Sequence, residues 1–343
     1  MLRSPRPAPR RWLAGLLALA CGVAQAQAPG PAQSTAPAAT VAPEMVFVPP
    51  KDPPVPLLWK VSDADNAVWL LGSFHLLRAD DYPLSGDVNA AFAGAENVVF
   101  ELPPEEMNSP QLALQMMQAA VRTDGTQLDS ELPAATAAAF KAWQEANAAG
   151  LQAAGMTPGR LQMFEPWFVG LVVSLTEMAK QGLDPKLGLD QHFIAAAGLA
   201  GKRTDGFETG AQQIAFLDGM DRQEQLQFID EALSEAGSGE LEKLHAEWRA
   251  GDADAIWADM AADMRTHYPQ LYRHINVERN DAWLPKIEQM LAAPRTDDTL
   301  VVVGALHLLG GDGIVEKLRA KGYAVERVCS ACATAPPRAK AGR

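Results

Sequence analysis

The chain has 343 residues, 48% of them apolar and 21% charged, with a formal net charge of -13. That balance belongs to a globular protein with a sizeable core and excludes a disordered or fully membrane-embedded chain. An acidic surface is repelled by nucleic acid and by anionic membranes, so neither is expected as a partner.

Taken in chain order, the first segment reads as an export signal. Arg3, Arg6, Arg10 and Arg11 precede the apolar run Trp12–Val23, and Ala24-Gln25-Ala26 supplies a small-x-small cleavage pattern. The run falls short of the ~20 apolar residues of a spanning helix. Residues 1–26 are therefore expected to be removed, leaving no integral membrane span and a periplasmic or secreted protein. A lipoprotein anchored through Cys21 is the competing reading, and Ala18-Leu19-Ala20 is a poor match to its signal. Residues 27–55, rich in Ala, Pro, Gln and Thr, are predicted to be a disordered linker. A folded unit is expected over 56–329, and a disordered tail over 330–343.

Leu57–Val61 and Val68–Gly72 are short apolar runs separated by the polar cluster Ser62–Asn66, which predicts a β-hairpin. A helix is predicted over Val88–Ala95 and a strand, covered on both faces, over Asn97–Leu102. The middle of the chain is predicted to be helical, over Gln111–Val121, Ala134–Ala149, Glu165–Lys180 and Leu189–Ala200. Glu165, Glu177 and Lys180 bound the apolar run of the third, which favours a buried helix over a membrane span. Lys202–Phe207 is predicted to be a short strand, and Thr209 with Gln212 a capping box opening the next helix. Leu226, Ile229 and Leu233 share a helix face, as do Leu241, Leu244 and Trp248.

Thr299–Gly304 is predicted to be a buried strand. Asp312 is expected to cap a helix carrying Ile314 and Leu318, and Tyr323–Val328 to return as a parallel strand, completing a βαβ unit. The predicted fold class is α/β: a mixed sheet built from N- and C-terminal segments, with a large helical region between them. Cys329 and Cys332 are the two cysteines outside the leader, and they are expected to be disulfide-bonded or idle rather than redox-active. They lack the two further nearby ligands of a zinc knuckle.

Two of the six histidines stand apart. His75 ends Gly72-Ser73-Phe74-His75 and His307 ends Gly304-Ala305-Leu306-His307, each just past an apolar strand. Ligands and catalytic groups collect at that edge of an open α/β sheet. Glu101, ending the strand Val98-Val99-Phe100-Glu101, and Glu208, in Gly206-Phe207-Glu208, have similar contexts. Two histidines with one or two carboxylates suit a first-row metal site with an open position, or a metal-free acid/base set. Ion pairing at Glu101 and a helix N-terminal preference at Glu208 are the structural alternatives. His245 is read as a boundary residue, His192 as exposed, and His267 with His274 as a weak metal pair. No Gly-x-Ser-x-Gly elbow or His-Glu-x-x-His helix occurs.

These segments, together with Gly188-Leu189-Asp190, Val277-Glu278-Arg279-Asn280, Glu165-Pro166-Trp167 and Gly322-Tyr323-Ala324-Val325, resemble in order the motifs of the TraB/GumN family, over about residues 57–328. The resemblance implies an α/β core with a helical insertion and a site built from the two histidines and the glutamates. It implies His75, Glu101, Glu208 and His307 as candidate ligands of a divalent Mn, Co or Zn ion, with one glutamate activating water. Arg279 would stabilise an oxyanion or clamp a carboxylate, or else pair with Glu278 or Asp281. Asn280 would position a substrate carbonyl or cap a helix. Asp190 would orient a histidine or cap Leu189–Ala200. The wider group holds Tiki-type metalloproteases, erythromycin esterases and haem-binding ChaN proteins, so fold alone does not fix function. The expected activity is that of an exported, divalent-metal-dependent, protease- or peptidase-like hydrolase acting on a peptide or small-molecule substrate. A non-catalytic haem- or metal-binding protein and a metal-free esterase with a histidine base are the alternatives.

Overall fold

The computed structural model describes residues 52–236, 239–293 and 296–334. The expected export signal, nearly all of the linker, and the tail from residue 335 onward lie outside them. The first two apolar runs form the expected hairpin, β1 (Leu58–Ser62) against β2 (Ala67–Ser73). Asp63 turns it, its Oδ1 accepting from the backbone N–H groups of Asp65 and Asn66.

Four more strands complete the sheet: β3 (Asn97–Phe100), β4 (Arg203–Gly206), β5 (Thr299–Gly304) and β6 (Ala324–Arg327), in the order β4-β3-β5-β2-β1-β6. The sheet is mixed. β4, β3, β5 and β2 run parallel, while β1 is antiparallel to both β2 and β6. β5 lies near the centre with all six residues buried, as its unbroken run of Val and Leu requires for a strand covered on both faces. The edges are charged instead: Arg203 and Asp205 on β4, Glu326 and Arg327 on β6, which guards exposed strands against further pairing.

The expected βαβ unit takes a different form. β5 and β6 point the same way, but β2 and β1 lie between them, so the Ile314–Ala320 helix spans two intervening strands. That helix is capped by Gly313 without a side-chain bond, not by Asp312. The first residues of the expected disordered tail form a turn of helix, Ser330–Thr334. Ser330 ties it to Asp87 through two 2.6 Å hydrogen bonds, and Cys329 and Cys332 are joined as a disulfide.

The helical middle region packs over the sheet. Its most intimate pair is Pro166–Lys180 against Arg222–Glu235, where Gly170 admits the Phe228 ring; a Cβ at that position would lie 2.6 Å from the ring. The Leu189–Ala200 helix and the Thr209–Gln212 capping box form as expected. Two five-residue π-helical stretches, Ala258–Ala262 and Arg273–Val277, interrupt the later helices, a distortion that recurs at functional sites. Among the described residues no helix is long and apolar enough to cross a membrane.

Candidate active site

The four parallel strands deliver the four candidate residues to one edge of the sheet. Across the order β4-β3-β5-β2, the chain leaves the strand ends to place Glu208, Glu101, His307 and His75 in turn. All four are buried. Parallel strands share one carboxyl edge, so residues distant in sequence converge there without long side chains.

His75 is held by Asp190. Its Nδ1 lies 2.8 Å from Asp190 Oδ2, which also accepts from the Ser73 hydroxyl. A carboxylate can only accept, so Nδ1 carries the proton and Nε2 is turned toward the site. That Nε2 is buried and has no hydrogen-bond partner; the nearest carboxylate oxygen, Glu101 Oε1, is 3.7 Å away. Burial opposes a charge on His75, but Asp190 and then Glu101 outweigh it and raise its pKa to about 9. Asp190 therefore does not cap its helix; Gly188 occupies the cap. Only glycine fits there, since a Cβ would fall 1.9 Å from the His75 carbonyl oxygen.

His307 sits in the opposite electrostatic state. Asn280 Nδ2 donates to the Asp312 carbonyl at 2.9 Å, so Asn280 Oδ1 faces His307 and accepts its Nδ1–H at 2.7 Å. Nε2 is then the lone-pair nitrogen, and Arg279 Nη1 donates to it at 3.1 Å. Burial and the Arg279 charge push the imidazole down to about 3, leaving it neutral. Asn280 thus neither caps a helix nor stands free for a substrate carbonyl.

Arg279 occupies the middle of the cluster. It donates to Glu208 through Nε and Nη2 and to Glu101 Oε2 through Nη2, both Nη2 contacts at 2.7 Å. Trp283 and Phe216 flank its guanidinium. Burial disfavours its charge, but Glu101 and Glu208 hold it firmly protonated. The partners of Arg279 are these two distant acids rather than its sequence neighbours Glu278 and Asp281. Burial likewise disfavours ionised Glu101, yet Arg279, the two histidines and the Gly304 N–H hold its carboxyl at about 2. Gly304 N donates to Glu101 Oε1 at 2.8 Å, and a Cβ on Gly304 would stand 3.0 Å from His75 Nε2.

The two glutamates are not equivalent. Glu208 is consumed by Arg279, by Trp283 Nε1 at 2.9 Å and by Gln213 Nε2 at 3.1 Å. Glu101 Oε1 alone faces both imidazoles, 3.7 Å from His75 Nε2 and 3.9 Å from His307 Nε2. Ligand bonds of about 2.0–2.1 Å in a tetrahedral shell place neighbouring donors roughly 3.3 Å apart. Among the described residues no three such groups already stand at ion-holding spacing. Glu101 Oε1 stands a few tenths of an ångström beyond that spacing from each histidine Nε2, and Arg279 Nη1 holds the lone pair of His307. The donor chemistry nevertheless fits a cation. Three buried carboxyl groups, of Glu101, Glu208 and Asp190, gather around the Arg279 guanidinium and the His75 ring, and His75 Nε2 lacks a partner. Glu208 does not fit as a ligand.

The other histidines lie elsewhere. His245 is buried, not at a boundary, with Nε2 2.8 Å from Asp81 Oδ2. His192 is half-buried against Tyr82, and burial lowers its pKa. His274 meets Phe216 and Glu278, and the side chain of His267 falls outside the described residues. Sequence reasoning missed Ser73, Gln213, Trp283 and Asn276. Ser73 lay within the quoted Gly-x-x-His motif, but nothing in the sequence marked the other three.

A narrow cavity, with room for only a few water-sized groups, reaches His75, His307, Gly304 and Ser73 from the helical side. The family model described as the TraB/PrgY/gumN family matches residues 57–327. No curated protein and no solved structure matches the chain.

Proposed function

The chain belongs to the TraB/PrgY/gumN family, and from that premise we propose that it is an exported hydrolase using a divalent cation held by His75 Nε2, Glu101 Oε1 and His307 Nε2. The observation that carries this reading is the unpartnered, buried His75 Nε2, 3.7 Å from Glu101 Oε1 in a cluster of three buried carboxyl groups. A buried polar atom without a partner is costly and calls for a group that fills the gap. Such an ion would supply Lewis acidity at a substrate carbonyl and lower the pKa of water.

The protein's own groups divide the remaining work. Asp190 and Asn280 fix the ring orientation and tautomer of the two histidines. Glu101, held strongly acidic, suits a ligand better than a proton acceptor, because a carboxylate that resists protonation is a weak base. Glu208 acts at one remove as a positioning residue, fixing Arg279 beside Glu101 and His307. Arg279 is placed to stabilise negative charge that develops next to His307 once its Nη1 is free to turn to the substrate. The apolar cavity excludes water around the reacting bond.

A second reading has one specific support. The orphaned His75 Nε2, backed by Asp190 and held protonated at neutral pH, has the build of a metal-free general acid. Hydrolysis of a mixed peptide library by the untagged mature chain separates the two. Under the first reading, activity is lost on chelation and returns with Mn, Co or Zn ions. Full activity in the chelated protein would leave only the metal-free reading.

A further inference from the structure

Asn276 lies on the π-helical turn Arg273–Val277, one helical turn before Arg279 and Asn280, and lines the same cavity as His75 and His307. It is 1% exposed. Its Nδ2 donates to the Tyr272 hydroxyl at 3.2 Å, and that hydroxyl donates on to Asp312 Oδ2. The chain of donors fixes which end of the amide is which: a hydroxyl that donates to a carboxylate accepts from Asn276, so the amide oxygen is the free end. Asn276 Oδ1 has no hydrogen-bond partner. A buried acceptor without a donor is costly and calls for an explanation at a site.

The remaining wall is apolar, with Trp248, Ile256, Met260, Met264, Ile275 and Leu306 among its residues. It offers no charge to an entering group beyond the catalytic cluster. A charged side chain would lose its hydration there without a partner, whereas an apolar one gains by burial. Thioether side chains adapt their shape to such a guest.

We propose that Asn276 is a substrate-binding residue whose Oδ1 accepts a backbone N–H, so that the site takes a peptide with an apolar side chain beside the reacting bond. The inference rests on the reading of this cluster as a hydrolytic centre. It adds the discrimination of amides from esters and of apolar from charged residues. The Gly310–Gly313 loop organises both halves of the site: the side chain of Asp312 orders Asn276 through Tyr272, while its carbonyl orders His307 through Asn280.

The test is calorimetric binding to chelated mature chain, which is separate from turnover. The probes are acetylated, amidated pentapeptides Ala-Ala-Xaa-Ala-Ala with Xaa as Leu, Phe, Gly, Glu or Lys. The Leu peptide is also made with each backbone amide replaced in turn by an ester. The expected result is tighter binding of the Leu and Phe peptides than of Gly, Glu or Lys. One ester position should cost the wild type about 10-fold or more, as expected when a buried acceptor loses its donor. Asn276→Leu should abolish that ester penalty. Equal binding of all esters by the wild type, equal binding of charged and apolar peptides, or no peptide binding overturns the proposal, and none of these needs a variant to fold. Selective binding without turnover in cation-loaded protein would sink the hydrolase reading and leave the recognition intact.

Discussion

His75 and Asp190, separated by 115 positions in the chain, are joined at 2.8 Å between Nδ1 and Oδ2, and this contact decides which ring nitrogen faces the site. It also sets the charge of the imidazole. Asp190→Asn removes that charge and offers an amide where an acceptor is needed. The His75 titration should then move from about 9 back toward 6.5, as followed by NMR of the ring. Divalent-cation affinity should fall roughly 10- to 100-fold, the usual effect of losing the group that orients a ligand. An unchanged titration and affinity would show that Asp190 is only a packing residue.

Arg279 is buried between two acids, and Glu208 holds it through Nε and Nη2. Truncating one member of a buried ion pair leaves a charge without its partner. Glu208→Ala should therefore destabilise the protein by about 3 kcal/mol in urea unfolding. Cation affinity should change less than on Glu101→Gln, because Glu208 is not a ligand. A larger loss of affinity at Glu208 than at Glu101 would reverse the assignment of the two glutamates.

The two site histidines make opposite contributions to the pH dependence of stability in the cation-free protein. The pKa of His75 is raised on folding, so its contribution is full below pH 6.5 and disappears as pH rises through about 9. The pKa of His307 is depressed, so its contribution is full above pH 6.5 and is lost as pH falls toward about 3. Glu101 adds to the acid-side loss, between 4.5 and about 2. Stability measured by denaturant unfolding should peak near pH 6.5 and fall on both sides. In His75→Ala the alkaline fall should flatten, whereas a persistent one would assign it elsewhere.

Much of this arrangement is legible in the sequence because it rests on local signals. The unbroken apolar run Thr299–Gly304, the Leu189–Ala200 helix stopped by Gly201, and the Thr209–Gln212 box are each written within a few residues. The strand-end positions of His75, Glu101, Glu208 and His307 are legible for the same reason. Partnerships across the fold are not. His245 reads as a boundary residue because Asp81 is 164 positions away, and Arg279 suggests pairing with Glu278 or Asp281 because those acids adjoin it. Gln213 and Asn276 are neutral amides inside helices, with neither charge nor periodicity to mark them. Asp312 reads as a cap because it precedes a helix, yet tertiary contacts claim both its carboxylate and its carbonyl.

The central claim is that His75, Glu101 and His307 hold a divalent cation, and calorimetric titration of the chelated protein with Zn, Mn or Co ions tests it most directly. The expected result is one ion per chain, with about one proton released at neutral pH from His75 as its Nε2 is taken. Binding should be lost in His75→Ala and His307→Ala variants that still unfold cooperatively. Stoichiometric binding that survives both substitutions, or no binding by a wild-type chain that hydrolyses peptides, would contradict it.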